Sequence, residues 1–293
     1  MFPSSPASFL RHAGALALVV PVLLMASGQM AEARTTGAVT TGAVTTGAVT
    51  SGHGSPRVTT VVALTFDDGD ASHVRVARLL NARGMAGTFY INSAQIGTAG
   101  KLTRAQLAAI ARAGHEIGGH TLTHPKLPEL TPAEQRAEIC DDRRALLAMG
   151  FQVRTFAYPY GAWDGSAKRI VRACGYNGAR GVGGLSSRPC AGCAVAEPYR
   201  PESLYLVRTP GSVRETTTLA QIKKSVLNVE KAGGGLVPLV FHRLCADDGG
   251  CGLYSVSDRT LTAFLDWLAG RRARGTVVRT LGAVIGGKVR PLP

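Results

Sequence analysis

The stretch Val58 to Asp70, VTTVVALTFDDGD, is β-branched and apolar as far as Phe66 and then turns acidic at Asp67 and Asp68. Such a run suits a strand. Asp-Asp-Gly-Asp reads structurally as a turn. It reads chemically as two adjacent carboxylates at the end of a strand. Further strands are expected at Gly87–Ile91, His115–Gly118, Thr155–Ala157, Tyr176–Ala179, Leu204–Arg208, Leu236–Phe241 and Thr276–Thr280. Between them, helical spacing and capping residues predict helices at Ser72–Arg83, Thr103–Ala113, Thr131 to about Met149, Trp163–Ala173, Thr218–Ala232 and Asp258–Arg274. Repeated strand–helix alternation implies an α/β fold built as a closed or nearly closed barrel, with its chemistry at the C-terminal ends of the strands.

Polar residues gather where those strands end: Asp67 and Asp68, His120 and His124, Tyr160, and His242. One site at the barrel mouth accounts for all of them, whereas a structural explanation needs a separate turn or cap for each. In His120-Thr-Leu-Thr-His124 two imidazoles four residues apart can be aimed at one ion by a helical turn or a tight loop. Taken alone, such a pair is more often two surface histidines. With Asp68 it becomes two nitrogens and a carboxylate, the donor set of a catalytic zinc or a related divalent ion such as cobalt, nickel or manganese. Asp67 is then placed to accept a proton from a water that the ion acidifies.

These residues carry a resemblance to a family, the NodB-type polysaccharide deacetylases of carbohydrate esterase family 4. Thr65-Phe-Asp-Asp-Gly69 resembles its first motif and Gly114-His-Glu-Ile-Gly-Gly-His-Thr-Leu-Thr-His124 its second. Phe156-Ala-Tyr-Pro-Tyr-Gly161 resembles a variant of its third motif, and Leu239-Val-Phe-His242 its last. The resemblance implies a distorted (β/α) barrel and metal-assisted hydrolysis of an acetyl group, usually the N-acetyl group of an amino sugar. It also implies Asp67 as general base and Asp68, His120 and His124 as metal ligands. The Tyr160 backbone N–H would help hold the oxyanion, and His242 would protonate the leaving amine.

Two departures stand out. Many family members have Arg where this chain has Ala157, and Arg208 is the candidate for a replacement cation beside Asp67. The family's Asp-Trp motif is not evident, Tyr205–Arg208 being the nearest segment. Trp163, close behind Tyr160, either lines the substrate groove or packs beneath its loop.

The flanks and composition set the setting. An apolar run from Ala13 to Ala26, preceded by Arg11 and followed by Ala31-Glu-Ala33, reads as a signal peptide over residues 1–33. It falls short of the roughly 20 apolar residues of a spanning helix, so no stable membrane insertion is expected after cleavage. Residues 34–57, with repeated Thr-Thr-Gly-Ala-Val, read as a linker, and 58–293 as the catalytic domain. The formal net charge is +14. That suits anionic extracellular polymers, while the lack of nucleic-acid-binding motifs argues against nucleic acid.

The six cysteines fit disulfides in an exported protein, with local pairs Cys140–Cys174, Cys190–Cys193 and Cys245–Cys251 expected. The expected protein is a secreted monomer that deacetylates peptidoglycan, a chitin-type oligomer or another N-acetylhexosamine polymer. An O-acetyl xylan esterase is the alternative enzyme. A noncatalytic wall-binding module, favoured only by the missing Arg at position 157, is the alternative from another class.

Overall fold

The computed structural model describes residues 57–187, 192–246, 250 and 252–292. The expected signal peptide and nearly all of the linker lie outside the described residues. The core is an eight-stranded parallel sheet wrapped into a nearly closed barrel. Its strands are β1 (Thr60–Phe66), β2 (Thr88–Ile91), β3 (Glu116–Gly119), β4 (Thr155–Ala157), β5 (Gly178–Gly184), β6 (Val207–Thr209), β7 (Gly235–Phe241) and, after a separate β8 (Arg243–Cys245) and β9 (Ser255–Ser257) pair, β10 (Thr276–Val278). The ladder runs β7–β1–β2–β3–β4–β5–β6, and β10 pairs with the first half of β1, below the point where β2 joins it. It is interrupted between β6 and β7. There Glu197 bridges the seam, exchanging backbone hydrogen bonds of 2.8 Å with Leu236.

Around the sheet lie α1 (His73–Asn81), α2 (Arg104–Arg112), α3 (Pro132–Arg136), α4 (Asp142–Ala148), α5 (Gly165–Ala173), α6 (Leu219–Lys231), α7 (Asp258–Gly270) and α8 (Leu281–Ile285). Thr103, Thr131 and Thr218 each open a helix with a reciprocal capping box to Gln106, Glu134 and Gln221. The helix expected from Thr131 to Met149 is continuous except for one π-helical turn, Ala137–Asp141, joining α3 to α4. Cys140 in that turn is disulfide-bonded to Cys174 at the end of α5. Cys193 and Cys245 are also disulfide-bonded, but the pairs expected for them involve Cys190 and Cys251, outside the described residues. No helix among the described residues is long and apolar enough to cross a membrane.

The two-residue period of the strands decides what faces the mouth. On β1, Val62, Leu64 and Phe66 pack outward under the helices, and Phe66 stacks on Phe89 and Phe241. Val61 and Ala63 point into the barrel with Tyr90, Ala157, Val207, Leu236 and Leu281. Continuing the alternation turns Thr65 and Asp67 inward. The same parity on β7 turns His242 inward. The lumen is not wholly apolar, because Glu116 is buried there and accepts hydrogen bonds from the Thr88 and Thr155 hydroxyls and the Gly282 N–H. Gly118 is required beside it, since a Cβ there would lie 2.5 Å from the Tyr90 ring.

Candidate active site

Asp67 and Asp68 leave β1 in a tight turn. Asp68 adopts φ +72°, and Gly69 follows at φ +60°. The turn is braced from the loop before α2: Lys101 Nζ donates to the Asp68 carbonyl at 2.8 Å, and Leu102 N–H to Gly69 O at 2.8 Å. The sequence left open whether His120 and His124 share a helical turn or a loop. They share a loop, with Thr121 at φ +69° and His124 at φ +72°. Among the described residues, the non-glycine positions with positive φ are Asp68, Thr121, His124 and Tyr160, so strained backbone is confined to the mouth.

The histidine loop is pinned from three directions. Asn92 Nδ2 donates to His120 O at 2.5 Å, and the buried Asp142 carboxylate accepts from His120 N–H at 3.1 Å and Ser93 N–H at 3.0 Å. Glu138 accepts from the Thr123 N–H and hydroxyl at 3.0 and 2.8 Å. Glu138 lies in the π turn and Asp142 opens α4 directly after it; such turns recur at functional sites. Burial pushes Asp142 up to about 7, against the opposing pull of its hydrogen bonds from Ser93 and His120.

The three expected metal-ligating residues come together. One ligand atom from each of Asp68, His120 and His124 lies within 4.8 Å of the others. Asp68 Oδ1 is 3.4 Å from His120 Nε2 and 3.3 Å from His124 Nε2, yet it is buried with no hydrogen-bond partner. His120 Nδ1 is 2.7 Å from the Ala157 carbonyl. A carbonyl can only accept, so Nδ1 carries a proton, and Nε2 is the ring nitrogen turned toward Asp68.

Burial, followed by the influence of His120, pushes His124 down to about 4 and keeps its imidazole neutral. Burial works to raise the Asp68 carboxyl, but His120, His242 and His124 outweigh it and hold it well below the usual carboxylate range. An ionised oxygen and two imidazole nitrogens, one oxygen left without a partner, fit a divalent cation.

Asp67 sits beside this cluster, buried. Burial tends to raise its pKa, but Arg180, then His120 and His242, lower it overall. Here the structure corrects the sequence expectation. Arg208 is not the cation beside Asp67, because it binds Glu197 at the β6–β7 seam, Nε to Oε1 at 3.0 Å and Nη2 to Oε2 at 2.9 Å. Arg180 of β5 pairs with Asp67 through Nη2–Oδ1, donates to Thr65 Oγ1 at 3.2 Å, and lies 4.8 Å over the Tyr90 ring.

Arg180 is the register partner of Ala157 across the β4–β5 ladder. In parallel strands such partners share a face, so the small Ala157 leaves the lumen to a guanidinium from the next strand. The strand expected at Tyr176–Ala179 actually begins at Gly178 and continues through the glycine-rich Arg180–Gly184. Extending its two-residue alternation past Ala179 is the signal that would have found Arg180.

His242 Nε2 lies 3.9 Å from Asp67 Oδ2, and its backbone carbonyl accepts from the buried His73 Nε2 at 2.6 Å. Burial lowers the His242 pKa despite the opposing carboxylates Asp67 and Asp68. Tyr160 follows β4 in a turn at φ +57°, with its ring exposed and 4.5 Å from the His124 ring. Asp67, Asp68, Lys101, His242 and Tyr254 are among the residues lining a cleft of about 240 Å³. Sequence reasoning also missed Asn92, Asp142, Lys101 and His73, which act on the site through backbone groups and have no motif spacing to betray them.

Comparison with known proteins agrees with this architecture. Residues 55–179 match the family model described as polysaccharide deacetylase. A chitooligosaccharide deacetylase of Bradyrhizobium sp. (strain ANU 289) is 32% identical over 115 residues, 38% of this chain and 51% of that protein. A chitin deacetylase of Pestalotiopsis sp is 30% identical over 122 residues, 41% of each chain. The chain thus spans about half, or less, of the length of these curated relatives. A crystal structure of a peptidoglycan N-acetylglucosamine deacetylase superposes with a TM-score of 0.52 at 19% identity, covering 80% of this chain and 93% of the other, and shows a shared fold. Through the segment 55–179 and the parallel barrel it helps to build, the chain is similar to the NodB-type polysaccharide deacetylases.

Proposed function

We propose that the protein is an exported, metal-dependent hydrolase that removes acetyl groups from an N-acetylated extracellular glycan such as peptidoglycan or a chitin-type oligomer. The observation that carries this reading is the buried, unpartnered Asp68 Oδ1 between two imidazole nitrogens, with a second buried carboxylate, Asp67, next to it. Asp68, His120 and His124 would hold a divalent ion, zinc being our first choice. Such an ion, when bound, polarises the acetyl carbonyl and acidifies a water at neutral pH.

Asp67, kept ionised by Arg180, accepts the water proton as general base. The Tyr160 N–H, set by its left-handed turn, is assigned to the developing oxyanion. His242, with its lowered pKa, donates readily once protonated and gives its proton to the leaving amine. The positive neighbour Arg180 beside Asp67 supports the enzymatic reading over a noncatalytic module, which Ala157 had favoured. The signal peptide over 1–33, the linker over 34–57, the secreted location and a monomeric state belong to the same proposal.

The test is acetate release from chitin oligomers, peptidoglycan and acetylated xylan, assayed untreated, with chelator, and after zinc or cobalt is restored. Release that chelator abolishes and metal restores is expected, with glycan amides favoured over xylan esters. Metal binding without release from any acetylated sugar would overturn the enzymatic reading.

A further inference from the structure

Large apolar side chains are exposed at few places among the described residues, and several of these adjoin the site. Leu253 is 53% exposed and Tyr254 44%, and both line the cleft containing Asp67, Asp68 and His242. The Tyr254 ring lies 5.0 Å from the His242 ring at an interplanar angle of 40°, and the Arg214 guanidinium lies 5.4 Å from its centroid. Core packing does not account for a half-exposed aromatic in an active-site cleft, because it leaves apolar surface in water that the fold has not used.

The ring is also held in place. Its backbone carbonyl accepts from Arg243 N–H at 3.2 Å, where β9 runs beside β8, and the Leu253 carbonyl accepts from Glu215 N–H at 3.0 Å. Ser255 Oγ closes the turn onto Gly252 O at 2.7 Å, and β9 runs directly into α7, which Ser257 caps. A side chain anchored this way keeps its orientation before any ligand arrives, so little entropy is lost when a ligand packs against it.

We infer that Tyr254 is a stacking platform for a pyranose ring of the substrate, making the β8–β9 segment a determinant of specificity for glycans over small acetyl compounds. This rests on the proposed deacetylation at the same site. His242 is assigned to the nitrogen that stays on the sugar, so the ring leaning on His242 faces the carbohydrate side of the scissile bond rather than the acetyl methyl. A tyrosine face offers an apolar plane to the axial C–H bonds of a sugar while its edge remains polar. The exposed Tyr160 ring against His124, with Trp163 nearby, provides a further aromatic surface, suited to a substrate of more than one ring.

The experiment compares wild type, Tyr254→Phe and Tyr254→Ala with chitopentaose and with ethyl acetate, an ester that has no ring to stack. Tyr254→Ala should raise KM for chitopentaose about 5- to 10-fold, with kcat and ethyl acetate hydrolysis close to wild type, and Tyr254→Phe should stay near wild type. A fall in kcat with KM unchanged would overturn the platform, since the ring would then be acting through His242. Equal losses on both substrates would overturn it as well. Calorimetry of chitopentaose on Asp67→Asn, with and without Tyr254→Ala, keeps the question separate from turnover. If wild type deacetylates nothing, the functional reading fails, while unequal binding by these two variants still supports the platform and equal binding refutes it.

Discussion

Arg180 and Asp67 are each buried beyond the reach of solvent, and removing one partner of such a pair strands the other's charge. That loss typically costs about 3–5 kcal/mol. Arg180→Ala is therefore expected to lower the melting temperature and to reduce turnover by about 10²-fold or more, while a metal titration still reports one ion per chain. Because Ala157 is its register partner on the same face, adding Ala157→Arg to Arg180→Ala should recover most of the lost activity. A double variant as inactive as the single one would show that the guanidinium is needed in its own place and not merely in the lumen. Arg208 illustrates the limit of reading a cation from sequence. It lies in the middle of β6 rather than at the end of a strand as expected, and Glu197 at the seam captures it. The convergence of Asp67, Asp68, His120 and His124 was legible because distinctive polar groups follow the ends of β1 and β3. The choice of cation was not, because it depended on which neighbour across a ladder fills a space left by alanine.

At the level of elements, nearly every strand and helix was legible, since β-branched runs and capping boxes act locally. The short β8, β9 and α8 were not, being three to five residues long and stabilised by what they touch. α8 shows how: its first N–H groups meet the lumen, Leu281 N–H on the Thr88 hydroxyl at 2.9 Å and Gly282 N–H on Glu116 at 2.7 Å. Burial raises the Glu116 carboxyl above its ordinary 4.5, outweighing the hydrogen bonds from Gly282, Thr155 and Thr88 that lower it. The folded chain therefore keeps a proton that the unfolded chain has released. Stability from this group is fully present below about pH 4.5 and is lost as pH rises through the elevated folded value. Glu116→Gln, which cannot titrate, should flatten the fall in the urea midpoint between pH 5 and pH 8 relative to wild type. Parallel curves for the two proteins would exclude Glu116 as the source.

For the whole molecule, the formal charge of +14 predicts attraction to polyanions. Retention on an anionic wall preparation should fall steeply as salt rises from 50 to 500 mM, because such attraction is screened over about 10 Å at 0.1 M. Retention indifferent to salt would mean that the charge plays no part in binding. The interrupted ladder bears on the molecule differently. A fully closed barrel fixes its own circumference, whereas this one stops pairing between β6 and β7 and is latched there by Glu197. Asp67, Asp68, His120, His124 and Arg180 all depend on the continuous part of the ladder or the loops leaving it. The seam is therefore the expansion joint of the molecule: chain can be inserted or removed beside it, widening or narrowing the groove for a different polymer, while the spacing of the reacting groups stays fixed.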